Sequence, residues 1–371
     1  MRPIVLFGAT GYTGRLVADA LVKRGARPLL AARNGDAVAR LGEELGGLDT
    51  AVADVARPET IRALLDEYTV LVSTVGPFLR WGAPAVEAAI DAGVVYFDST
   101  GEPPFIREVF DRRDGPARAG GATLITAFGY DFVPGNLAAA LALERAGERA
   151  AKVSVGYFIT GGGSVKDAMS GGTAASVAGV MLAPQFAYQD GRVVAERSAK
   201  RVRSFDVNGK RLTGISIGCS EHLSLPRAYP SVREVDVYLG WFGPASRAMQ
   251  GVSLLGAVPG VRSGSENLSR RFVRGSTGGP GPESRAKSGS LVVAEAVDSS
   301  GSIVERVVLS GPNGYTFTGD ILAWGAAHAA EHGVDGTGAL GPVEAFGLQT
   351  LEAGCAEAGL KEAEAPIKAG W

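Results

Sequence analysis

The residues best suited to chemistry open the chain, where Gly8-Ala9-Thr10-Gly11-Tyr12-Thr13-Gly14 follows the apolar run Pro3-Ile4-Val5-Leu6-Phe7. Leu16, Val17, Ala20 and Leu21 continue at helical spacing, so the stretch reads as strand, loop and helix. In that setting the first glycine permits a tight turn and the second lets backbone N–H groups approach a pyrophosphate. The third allows close helix–strand packing. The phosphates would sit at the positive end of the helix dipole, where unpaired N–H groups point outward. The spacing is GxxGxxG rather than GxGxxG. Its surroundings must therefore decide between a dinucleotide site and a plain glycine-rich turn.

Five further apolar runs end in residues of the right kinds. Ala31-Ala32-Arg33-Asn34 closes the second, about 20 residues past the loop, where an NAD site favours an acidic residue for the ribose hydroxyls. An arginine pairs instead with a 2′-phosphate, so Arg33 points to NADP(H). Asp54-Val55 closes the third run as an edge for the adenine. Thr74-Val75-Gly76-Pro77-Phe78 closes the fourth, with small residues that let backbone pass beside the nicotinamide ribose. Asp98-Ser99-Thr100-Gly101-Glu102 closes the fifth, adding Thr100 and Gly101 to the cofactor side. Phe128-Gly129-Tyr130-Asp131-Phe132-Val133-Pro134-Gly135-Asn136 follows the sixth. A hydride transfer that leaves an anionic product also needs a proton donor within hydrogen-bond reach. Tyr130 is the favoured donor, with Asp131 or Glu102 orienting the substrate, and water is the alternative donor.

Elements able to position these residues are legible through the first 150 residues. Strands near 3–7, 28–32, 50–53, 70–74, 94–97 and 122–126 alternate with helices near 36–45, 59–67, 83–92 and 104–118. Continuous apolar strands alternating with helices imply a right-handed, doubly wound parallel sheet of order 3-2-1-4-5-6, with ligand at the strands' carboxyl ends. From Lys152 onward the pattern changes. Residues 153–158 and 233–239 alternate, and 291–298 with 303–309 flank Ser299-Ser300-Gly301 as a hairpin. The expected fold class is α/β: a Rossmann domain over 1–150, then a second α/β domain with a mixed or antiparallel sheet over 151–330. That second domain would carry the substrate and any homodimer contact. Residues 331–371 would pack back on the first domain as helix, and 275–289 read as a surface loop. Ser170-Gly171-Gly172-Thr173 leads into an expected helix over 174–182. Seven basic residues between Arg192 and Arg211 read as a solvated strand face or as a docking surface for a phosphorylated carrier.

Composition excludes other classes. The formal net charge is −2, which gives no electrostatic case for nucleic acid or an anionic membrane surface. Two cysteines far apart make neither a disulfide framework nor a Cys-rich zinc site. The short apolar run before the glycine loop lacks the layout expected of a secretory leader, and no apolar run approaches the roughly 20 residues of a membrane span. A cytoplasmic protein with neither membrane nor nucleic-acid partner is expected. His328-Ala329-Ala330-Glu331-His332 spells HxxEH, but only His222 remains as a further histidine, so no metal is expected. No tyrosine has a lysine four residues later, which removes the Tyr-x-x-x-Lys arrangement.

With these residues laid out, the chain resembles the saccharopine dehydrogenase-like oxidoreductases, including the mycobacterial trans-acting enoyl reductases. The resemblance rests on Gly8 through Gly14, Ala32-Arg33, Thr74-Val75-Gly76-Pro77 and Tyr96-Phe97-Asp98-Ser99-Thr100-Gly101-Glu102. Gly129-Tyr130-Asp131-Phe132-Val133-Pro134 and Ser170-Gly171-Gly172-Thr173-Ala174-Ala175-Ser176 add to it. It implies a nicotinamide-dependent reductase acting on a C=C bond of a small or carrier-bound acyl substrate. An imine C=N oxidoreductase of the saccharopine type and a non-catalytic NADP-sensing protein are the alternatives. The first of these needs basic residues for several substrate carboxylates, and no convincing set is legible.

Overall fold

The computed structural model describes residues 2–161, 184–241, 250–251 and 278–363. The helix expected over 174–182, with the glycines and serines before it, lies outside the described residues.

Short apolar runs separated by glycine and polar turns build the first sheet. β1 (Ile4–Phe7), β2 (Leu29–Ala32), β3 (Thr50–Val52), β4 (Val70–Ser73), β5 (Val95–Asp98) and β6 (Thr123–Ile125) lie in the order β3-β2-β1-β4-β5-β6. Every pairing among them is parallel. This is the expected doubly wound order. β1, β4 and β5 are buried along their whole length, as strands covered on both faces must be, and only β3 at the edge is exposed. A seventh strand, Gly338–Ala339, extends the sheet beyond β6.

The crossovers are α1 (Tyr12–Lys23), α2 (Gly35–Glu44), α3 (Pro58–Arg62), α4 (Phe78–Trp81), α5 (Ala83–Ala92), α6 (Pro103–Glu108) and α7 (Asp114–Gly120). A π turn at Val109–Arg113 joins the last two. The long helix Gly314–His332 runs beside α1, where a Cβ on Gly319 would lie 2.9 Å from Leu16. Within 331–371, expected as helix, lie two helices, Pro342–Phe346 and Leu348–Glu357, parted by Gly347 at φ +72°.

The chain divides into two compact units, Met1–Asp131 with Gly314–Ala358, and Phe132–Asn313 with Gly359–Trp371. These bounds differ from 1–150, 151–330 and 331–371. The first unit ends early because α8 (Val133–Ala146) packs on the second sheet, and Gly314–His332 joins the first unit through its contact with α1.

The second unit is a mixed sheet. It contains β7 (Lys152–Gly161), β8 (Pro184–Gln189), β9 (Arg192–Arg197), β10 (Val202–Val207), β11 (Lys210–Ser216), β12 (Glu234–Leu239), β13 (Ser288–Val297) and β14 (Ile303–Pro312), with α9 (Glu221–Ala228) before β12. β7 pairs in parallel with β12 and antiparallel with β13, which forms the expected hairpin with β14. Along β7, Tyr157 reaches the first turn of α8. Phe158, on the other face, packs with Phe205, Val207, Tyr238, Leu291 and Val293. A Cβ on Gly156 would meet the Phe205 ring at 2.8 Å, so glycine there admits that aromatic.

Candidate functional site

Because β1 to β6 are parallel, every candidate segment of the first unit lies at one edge of its sheet. In the glycine loop, Gly8 holds φ +89° while its N–H donates to the Ala31 carbonyl at 2.8 Å. Its own carbonyl accepts from the Gly11 N–H at 2.9 Å and the Thr74 hydroxyl at 3.1 Å, tying the loop to the end of β4. A Cβ on Gly14 would collide with the Gly8 carbonyl oxygen and lie 2.9 Å from Ala9 Cα, so the first turn of α1 seats directly on the loop. Gly11 is the residue before α1; a Cβ there would meet, among the described residues, only Gly8 O, at 3.3 Å. Among the described residues no side chain caps α1, and its first turn holds no acid. That leaves a helix N-terminus, with Ala9, Thr10, Tyr12 and Thr13 around it, in the form a pyrophosphate requires. The cradle fits the dinucleotide.

Arg33 follows the buried Ala32 and is exposed, with no hydrogen-bond or ion-pair partner among the described residues. Asn34 is already used: its Oδ1 accepts the Ala37 N–H at 2.9 Å and caps α2. Asp54 folds into a local turn, with Oδ1 accepting the Ala56 N–H at 3.0 Å, and Val55 beside it is half-buried. Thr74, Val75, Gly76 and Pro77 form the turn out of β4, and Phe78 is buried at the start of α4.

Glu102 is buried, and both of its carboxylate oxygens accept backbone N–H groups, from Phe78 at 2.8 Å and Leu79 at 3.1 Å. Its carboxylate therefore anchors the first turn of α4. The Thr100 hydroxyl accepts the Glu102 N–H at 3.1 Å, and Asp131 Oδ2 would lie 2.9 Å from a Cβ on Gly101. Tyr130 is buried; its N–H donates to the Thr318 hydroxyl at 3.0 Å, and its ring meets Phe317 edge-on at 6.4 Å. Tyr130, Asp131, Thr100, Gly101 and Glu102 thus belong to one unit and one strand-end rim.

Asp131 Oδ1 is shut off from solvent with no hydrogen-bond partner among the described residues, and burial pushes its carboxyl up to about 7. The folded chain therefore holds this proton more tightly than the unfolded chain does. The associated stability is full below about pH 4 and is lost as pH rises through 7. Asp131→Asn is expected to match the parent near pH 4 and to exceed it by about 1–3 kcal/mol at pH 8. Urea unfolding at both pH values checks this, and a pH-independent difference would contradict it.

Several buried polar groups carry no signal in the sequence. In the second unit, Glu221 is fully buried and accepts the Tyr157 hydroxyl at 2.7 Å, while the Gly135 N–H donates to the Tyr157 oxygen at 2.8 Å. Asn136 links Ser220 (3.0 Å) and Ser224 (2.8 Å) to the same turn of α8. The Arg192–Arg211 stretch is partly ion-paired rather than solvated. Arg201 pairs with Glu196 and Asp236, and Arg203 with Glu295, three carboxylates at most 3% exposed. Those arginines serve as counter-charges, which weakens the reading as a phosphate-docking face. Gly214-Ile215-Ser216-Ile217-Gly218 spells the G-x-S-x-G nucleophile pattern. Ser216, however, ends β11 paired with β12, and its oxygen accepts the Arg201 N–H at 3.0 Å. His328 of the HxxEH pattern packs between Trp324 (5.3 Å) and Phe346 (5.5 Å), and no group of three metal-ligating residues occurs among the described residues.

Residues 4–125 match the family model of the saccharopine dehydrogenase NADP binding domain. The first unit thus contains an NADP-binding domain of the kind found in NAD(P)-dependent oxidoreductases. Over 140 residues the chain is 40% identical to a trans-acting enoyl reductase of Mycobacterium leprae, covering 36% of this chain and 34% of that one. It is 38% identical over the same length to a trans-acting enoyl reductase of Mycobacterium tuberculosis, with the same shares covered. The match spans about a third of these relatives. In fold, the chain is similar to the saccharopine dehydrogenase (L-Glu forming) of Saccharomyces cerevisiae, with a TM-score of 0.64 at 12% identity over 98% of this chain and 99% of that one.

Proposed function

We propose that the chain is an NADPH-dependent reductase delivering hydride to the conjugated C=C bond of an enoyl compound, small or carrier-bound. The observation that carries the NADPH assignment is Arg33, a cation directly after β2 that is exposed and has no hydrogen-bond or ion-pair partner among the described residues. The names of the relatives support the enoyl class. Residues 8–14 would hold the pyrophosphate, Arg33 with Ala32 and Asn34 the 2′-phosphate and its ribose, and Asp54 with Val55 the adenine. Residues 74–78, Thr100 and Gly101 would line the ribose and nicotinamide.

The bound nicotinamide supplies the hydride. Addition at one alkene carbon leaves the electron pair on the other as an enolate, which must take a proton. The Tyr130 hydroxyl is the assigned donor. Asp131, the next residue in the chain, has its carboxyl pushed up to about 7 by burial and would orient the substrate. Glu102 acts through the Phe78–Leu79 backbone that it anchors.

The test is NADPH consumption by the full chain across panels of enoyl thioesters, imines and ketones. Turnover on enoyl thioesters is expected, with Tyr130→Phe lowering kcat by about 10²-fold or more. Turnover confined to imines would favour the C=N reading. Stoichiometric NADPH binding without turnover on any panel would favour a cofactor-sensing role.

A further inference from the structure

Asp98 ends β5, is fully buried, and gathers two strand-end loops of the first unit onto one carboxylate. Its Oδ1 accepts the Thr100 N–H at 2.9 Å and the Ala127 N–H at 2.9 Å, and its Oδ2 accepts the Thr126 hydroxyl at 2.8 Å. Its backbone carbonyl accepts the Phe128 N–H at 2.8 Å. Ala127 is held at φ +59°, a left-handed conformation disfavoured for any residue with a Cβ. It lies three residues before Tyr130. On the other side the bonds continue from the Thr100 hydroxyl to the Glu102 N–H, and from the Glu102 carboxylate to the Phe78 and Leu79 N–H groups. A buried relay thus runs Ala127–Asp98–Thr100–Glu102–Phe78 across the carboxyl ends of β6, β5 and β4.

We infer that Asp98 is a positioning residue, one buried carboxylate that sets both the loop ending in Tyr130–Asp131 and, through Thr100 and Glu102, the turn at residues 74–78. This rests on the reading that those two segments flank the nicotinamide. Asp98 touches neither substrate nor cofactor in this account; it acts through backbone it holds. The geometry also specifies what can replace it. Asparagine keeps Oδ1 as the double acceptor and turns an NH2 toward the Thr126 oxygen, which can accept. Alanine removes every side-chain bond at once, and glycine at 127 adopts the left-handed conformation without needing to be held.

The experiment measures the NADPH dissociation constant of the full chain by fluorescence, with thermal melting and hydrogen exchange over residues 126–131. D98A is expected to weaken NADPH binding by about tenfold and to speed exchange in that loop, whereas D98N stays within about twofold of the parent. D98A/A127G is expected to recover at least about threefold of the loss and to slow the exchange again. Thr100→Val removes the hydroxyl that accepts the Glu102 N–H and gives the readout if D98A fails to fold; a rise of about threefold in the dissociation constant is expected. A folded D98A, or Thr100→Val, with parental affinity would overturn the inference, as would D98N behaving like D98A. A parent chain that fails to bind NADPH would instead overturn the cofactor reading beneath it.

Discussion

Replacing Arg33 with alanine is expected to weaken NADPH binding by about 10- to 100-fold while leaving NADH binding within about twofold. A hydrogen bond to a charged group contributes about 1.5–3 kcal/mol, and each 1.4 kcal/mol is roughly tenfold in affinity. Arg33 has no partner to give up among the described residues, so its interaction with a 2′-phosphate is not offset by a broken ion pair. Its exposure means that salt screens the contact, and the loss should shrink as ionic strength rises. Fluorescence titration of parent and variant with both nucleotides measures this. Equal parental affinities, or no loss of NADPH affinity in Arg33→Ala, would remove Arg33 from the site.

Gly14→Ala is expected to abolish measurable NADPH binding, a loss of at least about 100-fold, and to lower stability by about 1–3 kcal/mol. The added methyl group meets backbone, the Gly8 carbonyl oxygen and Ala9 Cα, and neither can rotate away as a side chain could. α1 must therefore lift off the loop, carrying with it the N–H groups proposed to hold the pyrophosphate. Gly11→Ala is the informative contrast. Its backbone, at φ −72° and ψ 168°, suits alanine, and its nearest neighbour is 3.3 Å away, so the protein should fold normally. Any loss of NADPH binding there reports the cofactor's own approach to the loop. Thermal melts with the same titrations separate the two effects. Parental affinity in Gly14→Ala would contradict the seating of α1 on the loop.

The first sheet was readable because its determinants are local. Five-residue apolar runs such as Pro3-Ile4-Val5-Leu6-Phe7, each closed by glycine or a polar cluster, specify parallel buried strands almost by themselves. Arg33 and the glycines were legible for the same reason, since strand order alone brings their segments to one edge. Contacts across long separations were not. Gly338–Ala339 is a strand only because β6 offers it an edge, and nothing in two small residues announces that. The left-handed Ala127, the two N–H groups on Glu102 and the Tyr157–Glu221 pair all depend on partners tens of residues away. Arg201 and Arg203 show the converse. Their charges suggested a solvated or docking face, yet Asp236 and Glu295, far along the chain, hold them as counter-ions. Chemistry that resides in side-chain pairing, rather than in runs and spacing, became visible only with the fold.

The central claim, that residues 8–14 and Arg33 hold NADPH with its reactive ring beside residues 74–78 and Tyr130, is tested most directly by a crystal structure of the chain with NADPH bound. The pyrophosphate is expected at the N-terminus of α1, the 2′-phosphate on Arg33 and the nicotinamide within reach of the Tyr130 hydroxyl. A nucleotide bound elsewhere, or a nicotinamide ring directed away from residues 74–78 and 130, would contradict it.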